Sequence, residues 1–222
     1  MKLIPMLFFL VVTASVLAGC EDARFPSTGN VRADAEEKAA ANAADEYEAA
    51  MFAYRDFLLG ELLAAGTDGG AAINIDDIFY APYRQDAKFV LFDVNGDELP
   101  ELHLRTPVAH MVLSHSDNKL SLWYEGSSYD RLMDNGAILY HKSDVAPARE
   151  IYVYREFGKY GELLPEIYFE KLDGDDDGNY DTYKHGDEII TEKEWEERTA
   201  LRFWGSDAVM WMAYSAWVMA CL

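Results

Sequence analysis

Apolar residues change their spacing three times along the chain. Leu7 to Val16 is an apolar run of about ten residues behind Met1-Lys2, too short for a permanent membrane span. From Asp34 to Ala65 the chain is rich in Ala and Glu, and Tyr47, Met51, Tyr54, Leu58 and Leu62 recur every three or four residues. That period places them on one helix face, predicted over 34–66 and stopped at Gly66-Thr67-Asp68-Gly69-Gly70. The first half of this helix has little to bury, so its C-terminal half is expected to dock. Beyond Pro82 short runs of Val, Ile, Tyr and Phe predict strands near Lys88–Phe92, Glu101–Arg105, Ala109–Ser114, Lys119–Tyr124, Ala137–His141, Glu150–Glu156 and Pro165–Lys171. Asp117-Asn118, Gly126-Ser127, Asn135-Gly136 and Gly158–Gly161 are turn signals between them. Sequential short strands with short turns argue for an antiparallel meander, open or closed into a barrel.

Thr191-Glu192-Lys193-Glu194 has the capping-box spacing and predicts a helix to about Trp204. A second helix is expected from Ser206 or Asp207. Residues 208–222 carry no charge and are too few for an ordinary span. They read as a buried terminal helix or as a contact with a membrane or partner. The fold class expected is α+β, a long N-terminal helix packed on an antiparallel sheet with C-terminal helices. Residues 34–66 and 67–222 would form one globular domain.

The 222 residues include 40 Asp and Glu against 19 Lys and Arg, a formal charge of -21. Such a surface repels phosphate backbones, which excludes sequence-independent nucleic-acid binding and makes cations the natural partners.

The N-terminal apolar run ends in Leu17-Ala18-Gly19-Cys20. Charge, apolar length and tetrapeptide together resemble the signal of bacterial lipoproteins. The resemblance implies a signal peptide over 1–19, a diacylglyceryl group on the Cys20 thiol, and a mature chain tethered to the outer side of the cell membrane, in the cell envelope. Residues 20–33, with Pro26, Ser27, Thr28 and Gly29, fit a flexible stalk. The other cysteine is Cys221, so with Cys20 lipidated no intramolecular disulfide is available.

Two acidic stretches carry the candidate chemistry. In Asp173-Gly174-Asp175-Asp176-Asp177-Gly178-Asn179-Tyr180-Asp181, aspartates stand at positions 1, 3, 5 and 9 and glycine at position 6. A hard divalent cation takes about six to eight oxygens, and a loop curling round it presents alternate side chains inward, with the Asn179 carbonyl at position 7. In Asp93-Val94-Asn95-Gly96-Asp97-Glu98-Leu99-Pro100-Glu101 the matching places hold Asp93, Asn95, Asp97 and Glu101, with the Leu99 carbonyl at position 7 and Glu98 where glycine is expected. Asp, Asn and Gly also build turns without an ion. Position 12 is Leu104 in one and Lys184 in the other, so neither is a helix-loop-helix EF-hand. Both resemble the strand-loop-strand calcium motifs of FG-GAP-type repeats, which implies structural Ca2+ held by Asp173, Asp175, Asp177, Asn179 and Asp181, and by Asp93, Asn95, Asp97, Leu99 and Glu101.

Phe89 to Leu102, with its apolar strand, acidic turn and Pro-Glu-Leu, is similar to a segment of secreted lipoproteins of anaerobic gut bacteria, as are Phe57-Leu58-Leu59-Gly60-Glu61 and Lys193-Glu194-Trp195-Glu196. That resemblance implies architecture, not activity. His103, His110, His115, His141 and His185 show no zinc-ligand spacing, and no nucleophile elbow, dinucleotide fingerprint or phosphate loop occurs. The chain therefore reads as a non-catalytic binding or display module. The competing class is a carbohydrate-binding or carbohydrate-active protein, since Trp123, Tyr124, Tyr152, Tyr154, Tyr160, Tyr168, Tyr180 and Tyr183 lie among the strands and acidic loops. Aromatics there also serve as sheet packing. A glycan or an envelope protein is the expected macromolecular partner.

Overall fold

A computed structural model describes residues 30–67, 70–79, 83–145, 148–204 and 209–216. The signal, Cys20, most of the stalk and Cys221 lie outside the described residues. By internal contacts the chain divides into residues 1–41 and 42–222. Of the first unit the described part is the opening of helix α1, Asn30–Leu58. Everything below concerns the second unit.

The buried side chains of α1 are Ala50, Tyr54, Phe57 and Leu58, with Met51 half-buried and Tyr47 exposed. The expected face is met at Tyr54 and Leu58, with Met51 and Leu62 partly buried against the core, while Ala50 and Phe57 widen the buried stripe and Tyr47 stands outside it. The helix stops at Leu58, earlier than the glycine-rich stretch at 66–70. Gly60 takes φ 79° and donates its N–H to Phe57 O, while Glu61 N–H reaches Asp56 O, the paired bonds of a Schellman stop. Ile75–Ile78 forms a short second helix, α2, capped by Asn74.

All the expected strands form: β1 (Lys88–Phe92), β2 (Glu101–Arg105), β3 (Ala109–Ser116), β4 (Lys119–Ser127), β6 (Ile138–Val145), β7 (Ala148–Arg155) and β8 (Ile167–Leu172). Short strands β5 (Asp130–Leu132), β9 (Thr182–His185), β10 (Glu188–Ile190) and β11 (Met212–Ala213) join them. They make two open antiparallel sheets, ordered β11-β1-β2-β3-β4 and β10-β9-β8-β7-β6-β5, in place of one meander or a barrel. The break falls between β4 and β5. Asp130 is 1% exposed there and accepts hydrogen bonds from the Tyr124 hydroxyl and Ser127 N–H, both 2.8 Å. Gly126 leaves the space this carboxylate occupies, which any Cβ would block. The corner therefore turns the chain out of the first sheet.

One face of the first sheet, with Phe89, Leu102, Leu104, Leu113 and Leu122, packs on α1. Its other face, with Val90, Val112 and Tyr124, meets Leu132, Ile138 and Phe157. Leu139, Tyr152, Tyr154 and Phe169 of the second sheet pack on Trp195 and Phe203. Trp195 lies on α3 (Glu192–Thr199), which starts at the expected capping box: Thr191 Oγ1 accepts from Glu194 N–H and Glu194 Oε2 from Thr191 N–H. A π-helical stretch, Ala200–Trp204, continues it.

The expected second C-terminal helix does not run through 209–213. Val209 and Trp211 pack inward, Met210 and Met212 are exposed, and Met212–Ala213 pairs with Lys88–Phe89. Period-two alternation is the geometry of a strand. Tyr214 then buries its ring on Phe79 and donates its hydroxyl to Leu58 O at the end of α1. Among the described residues no helix is long and apolar enough to cross a membrane.

Candidate metal centre

The loop 173–181 joins β8 to β9, and its base is closed by Asp173 N–H on Ala148 O and Asp181 N–H on Leu172 O. Asp173, at 1% exposure, receives Gly178 N–H on Oδ2 (2.8 Å) and Asp177 N–H on Oδ1 (3.2 Å). Asp175 Oδ1 accepts from Asp177 N–H, and Asp177 Oδ1 from Asn179 N–H. The chain therefore winds round its own carboxylates, with Asp176 at φ 62° and Gly178 at φ 91°. One carboxylate oxygen from each of Asp173, Asp175 and Asp177 lies within 4.8 Å of the others, and this group could hold a metal ion. Two carboxylates so placed repel by about 1 kcal/mol in water and by several at protein-like dielectric. A cation removes that cost. Asp181 stands apart, accepting from Gly174 N–H across the loop mouth and from the adjacent Thr182 Oγ1–H. Asn179 lies against Asp177 through its N–H and its side-chain amide.

The loop 93–101 joins β1 to β2 and repeats the pattern. Glu98 N–H donates to Asp93 Oδ2 (2.9 Å), Asp97 N–H to Asn95 Oδ1 (3.1 Å) and Leu99 N–H to Asp97 Oδ1 (2.8 Å). Positions 4 and 6 are left-handed in both loops: Gly96 at 75° and Glu98 at 73° in this one. Glycine occupies position 4 in one and position 6 in the other, and Glu98 adopts the positive φ that its place demands.

The carboxylates differ between the loops. Asp93, Asp97 and Glu101 do not converge as a metal-holding group; among the described residues Asp173, Asp175 and Asp177 do. Glu101 is turned into the protein at 1% exposure and accepts Val94 N–H at 3.0 Å. Burial pushes its pKa up to about 8 against the opposing Val94 bond, and the charges of Asp97 and Asp93 add to the rise.

Comparison with protein-family models, curated proteins and solved structures found no match.

A latch beside the 173–181 loop escapes sequence reasoning. The Tyr180 hydroxyl donates to Glu150 Oε1 (2.8 Å), Lys171 Nζ lies 3.0 Å from Glu150 Oε2, and the Tyr152 hydroxyl also bonds this carboxylate. Burial works to raise the Glu150 pKa, but the bonds from Tyr152, Tyr180 and Lys171 prevail and hold it below its ordinary value. The one signal in the sequence is charge complementarity, since Glu150 and Lys171 face each other across β7 and β8.

Two histidines are also paired in the interior. His103 Nδ1 and His110 Nε2 lie 3.2 Å apart, both residues fully buried, with Trp211 edge-on to both rings. Burial lowers both pKa values, with the Arg105 charge helping to hold His110 near 3. These rings are neutral packing groups. Tyr124, Tyr152 and Tyr154 are likewise buried in the core, whereas Tyr160 is 82% exposed.

Proposed function

We propose that this chain is an exported lipoprotein, anchored at Cys20 in the cell envelope, whose folded part is a binding module braced by structural calcium in the Asp173–Asp181 loop. The observation that carries the reading is the convergence of Asp173, Asp175 and Asp177 oxygens within 4.8 Å on a loop closed by its own backbone. Calcium suits it better than magnesium. Carboxylates and carbonyls of an irregular loop accommodate a flexible shell of oxygens at about 2.3–2.6 Å, whereas magnesium demands near-octahedral geometry at about 2.0–2.1 Å. Calcium is abundant outside cells, where weak affinity suffices. The role is structural, because the loop ties β8 to β9 and is latched to Glu150.

The test is calorimetric titration of the full chain with calcium, with magnesium as comparison. The expected result is saturable calcium binding lost in Asp175→Ala and Asp177→Ala, and magnesium binding at least about tenfold weaker. Absence of calcium heat, with unchanged melting, overturns the metal reading. Anchoring is tested by fatty-acid labelling, expected for the natural chain and lost in Cys20→Ala; persistent labelling of that variant overturns it.

A further inference from the structure

A cleft of about 710 Å³ opens beside the 93–101 loop, between α1, the tip of the β3–β4 hairpin and the 158–161 turn. That volume is in the range of small-molecule sites. Trp123 enters it because of an irregularity in β4. Val112 pairs with Tyr124 and Leu113 with Leu122, so Trp123 is an extra residue without a partner on β3. The alternation of side chains shifts there: Leu122 faces the α1 core and Tyr124 the core on the opposite face of the sheet. A bulge of this kind frees a side chain from both cores and re-aims it.

The ring is then backed by the chain. A Cβ on Gly161, which has φ 81°, would fall almost equally close to Cδ2, Cε2 and Cε3 of Trp123, so the glycine lies over the face of the indole rather than beside its edge. The same turn displays Tyr160, whose N–H is held by Glu162 Oε2, at 82% exposure. Asn95 Nδ2–H donates to Lys159 O (3.0 Å) and joins this turn to the acidic loop. Around the two rings stand Asp45 and Glu46 of α1, Asp97 and Asn118.

The geometry points to a neutral saccharide as the ligand of this cleft, its C–H face against Trp123 and Tyr160 and its hydroxyls donating to the carboxylates. Aromatic side chains supply large apolar area with little conformational entropy to lose, and carboxylates are strong acceptors for adjacent hydroxyls. Anionic ligands meet repulsion from Asp45, Glu46, Asp97 and Asp117, set against Lys159. A cationic ligand meets the ammonium of Lys159, whose Nζ stands 6.0 Å from the Tyr160 ring centre. This assignment gives a ligand class to the binding role proposed above and rests on that reading, though not on calcium.

The test is titration of the full chain with cellohexaose, xylohexaose, mannohexaose and maltohexaose, with spermidine and sialyllactose as charged arms. The expected result is binding of at least one neutral oligosaccharide, weakened about tenfold or more in Trp123→Ala and in Tyr160→Ala. Tyr160 is exposed, so its variant keeps the melting temperature of the natural chain even if Trp123→Ala does not fold. Binding of spermidine or sialyllactose without a neutral sugar overturns the ligand class and leaves the binding module standing. Neutral-sugar binding unchanged in the Tyr160→Ala variant overturns the cleft as its site. Silence in every arm overturns both.

Discussion

Glu98 and Gly178 hold the same place in two turns far apart in the chain: each donates its N–H to Oδ2 of the aspartate that opens its loop, Asp93 or Asp173, and each does so from a positive φ. The first is an L-residue in the left-handed region, where Cβ crowding costs about 1–2 kcal/mol; the second is free of that cost.

Exchanging the two residue types exposes this difference. Gly178→Ala meets no atom within 4 Å of its new Cβ, so its destabilisation is backbone strain alone, about 1–2 kcal/mol. Glu98→Gly should gain up to about 1 kcal/mol, reduced by the freedom glycine adds to the unfolded chain. Urea denaturation measures both, and equal losses in the two variants would contradict the shared geometry.

Calcium should raise the melting temperature. Binding only to the folded state contributes about 2.7 kcal/mol at one hundred times Kd, worth roughly 5–10 °C in a domain of this size. Asp175→Ala and Asp177→Ala should abolish most of the rise. Asp93→Ala should remove less, because the carboxylates of its loop do not converge. Sodium chloride at equal ionic strength is the control, since screening also relieves repulsion in a chain of charge -21.

The latch has its own signature. Tyr180→Phe deletes the hydroxyl that Glu150 accepts at 2.8 Å and should cost about 1–2 kcal/mol. Amide exchange should quicken in the loop 173–181 and leave β2 and β3 as protected as before. Unaltered loop exchange would show that Tyr180 does not restrain it.

Acid should unfold the protein through His103 and His110. Their folded pKa values lie below the ordinary 6.5, His110 near 3, so the unfolded chain binds more protons as pH falls. Stability is then fully present above pH 6.5 and falls below it, by about 1.4 kcal/mol per pH unit for each histidine. His110 alone removes roughly 3 kcal/mol by pH 4, a large share of the stability of a typical domain, and His103 acts in the same direction. His110→Gln should halve this slope. A slope unchanged between pH 6 and pH 4 would assign acid unfolding to other groups.

Local chemistry was legible in the sequence where it was self-contained. The capping box at Thr191 and Glu194, the strands flanking both acidic loops and the ring of aspartates at 173, 175 and 177 all rest on residues within a few places of one another. The helix end was misplaced because Gly60 lies inside an apolar pattern that continues through Leu62. Two- and three-residue strands such as β5 and β11 are too short to show a period. The two-sheet division depends on Asp130 meeting Tyr124 in the interior, and the cleft depends on a register shift opposite Val112 and Leu113. Neither leaves a local trace.

The strand borders have a colloidal consequence. The outer margin of β4 is covered near Ser121 by Ala65, whose N–H bonds Leu120 O and whose carbonyl accepts Leu122 N–H. The other margins are β11 with two residues, and β10 and β5 with three each. Among the described residues the strand at each sheet margin is therefore short or partly covered, which limits the row of free amides and carbonyls on which a neighbouring copy can add a strand. Packed side by side at high density, such molecules meet as mutually repelling polyanions and resist fibrillar association.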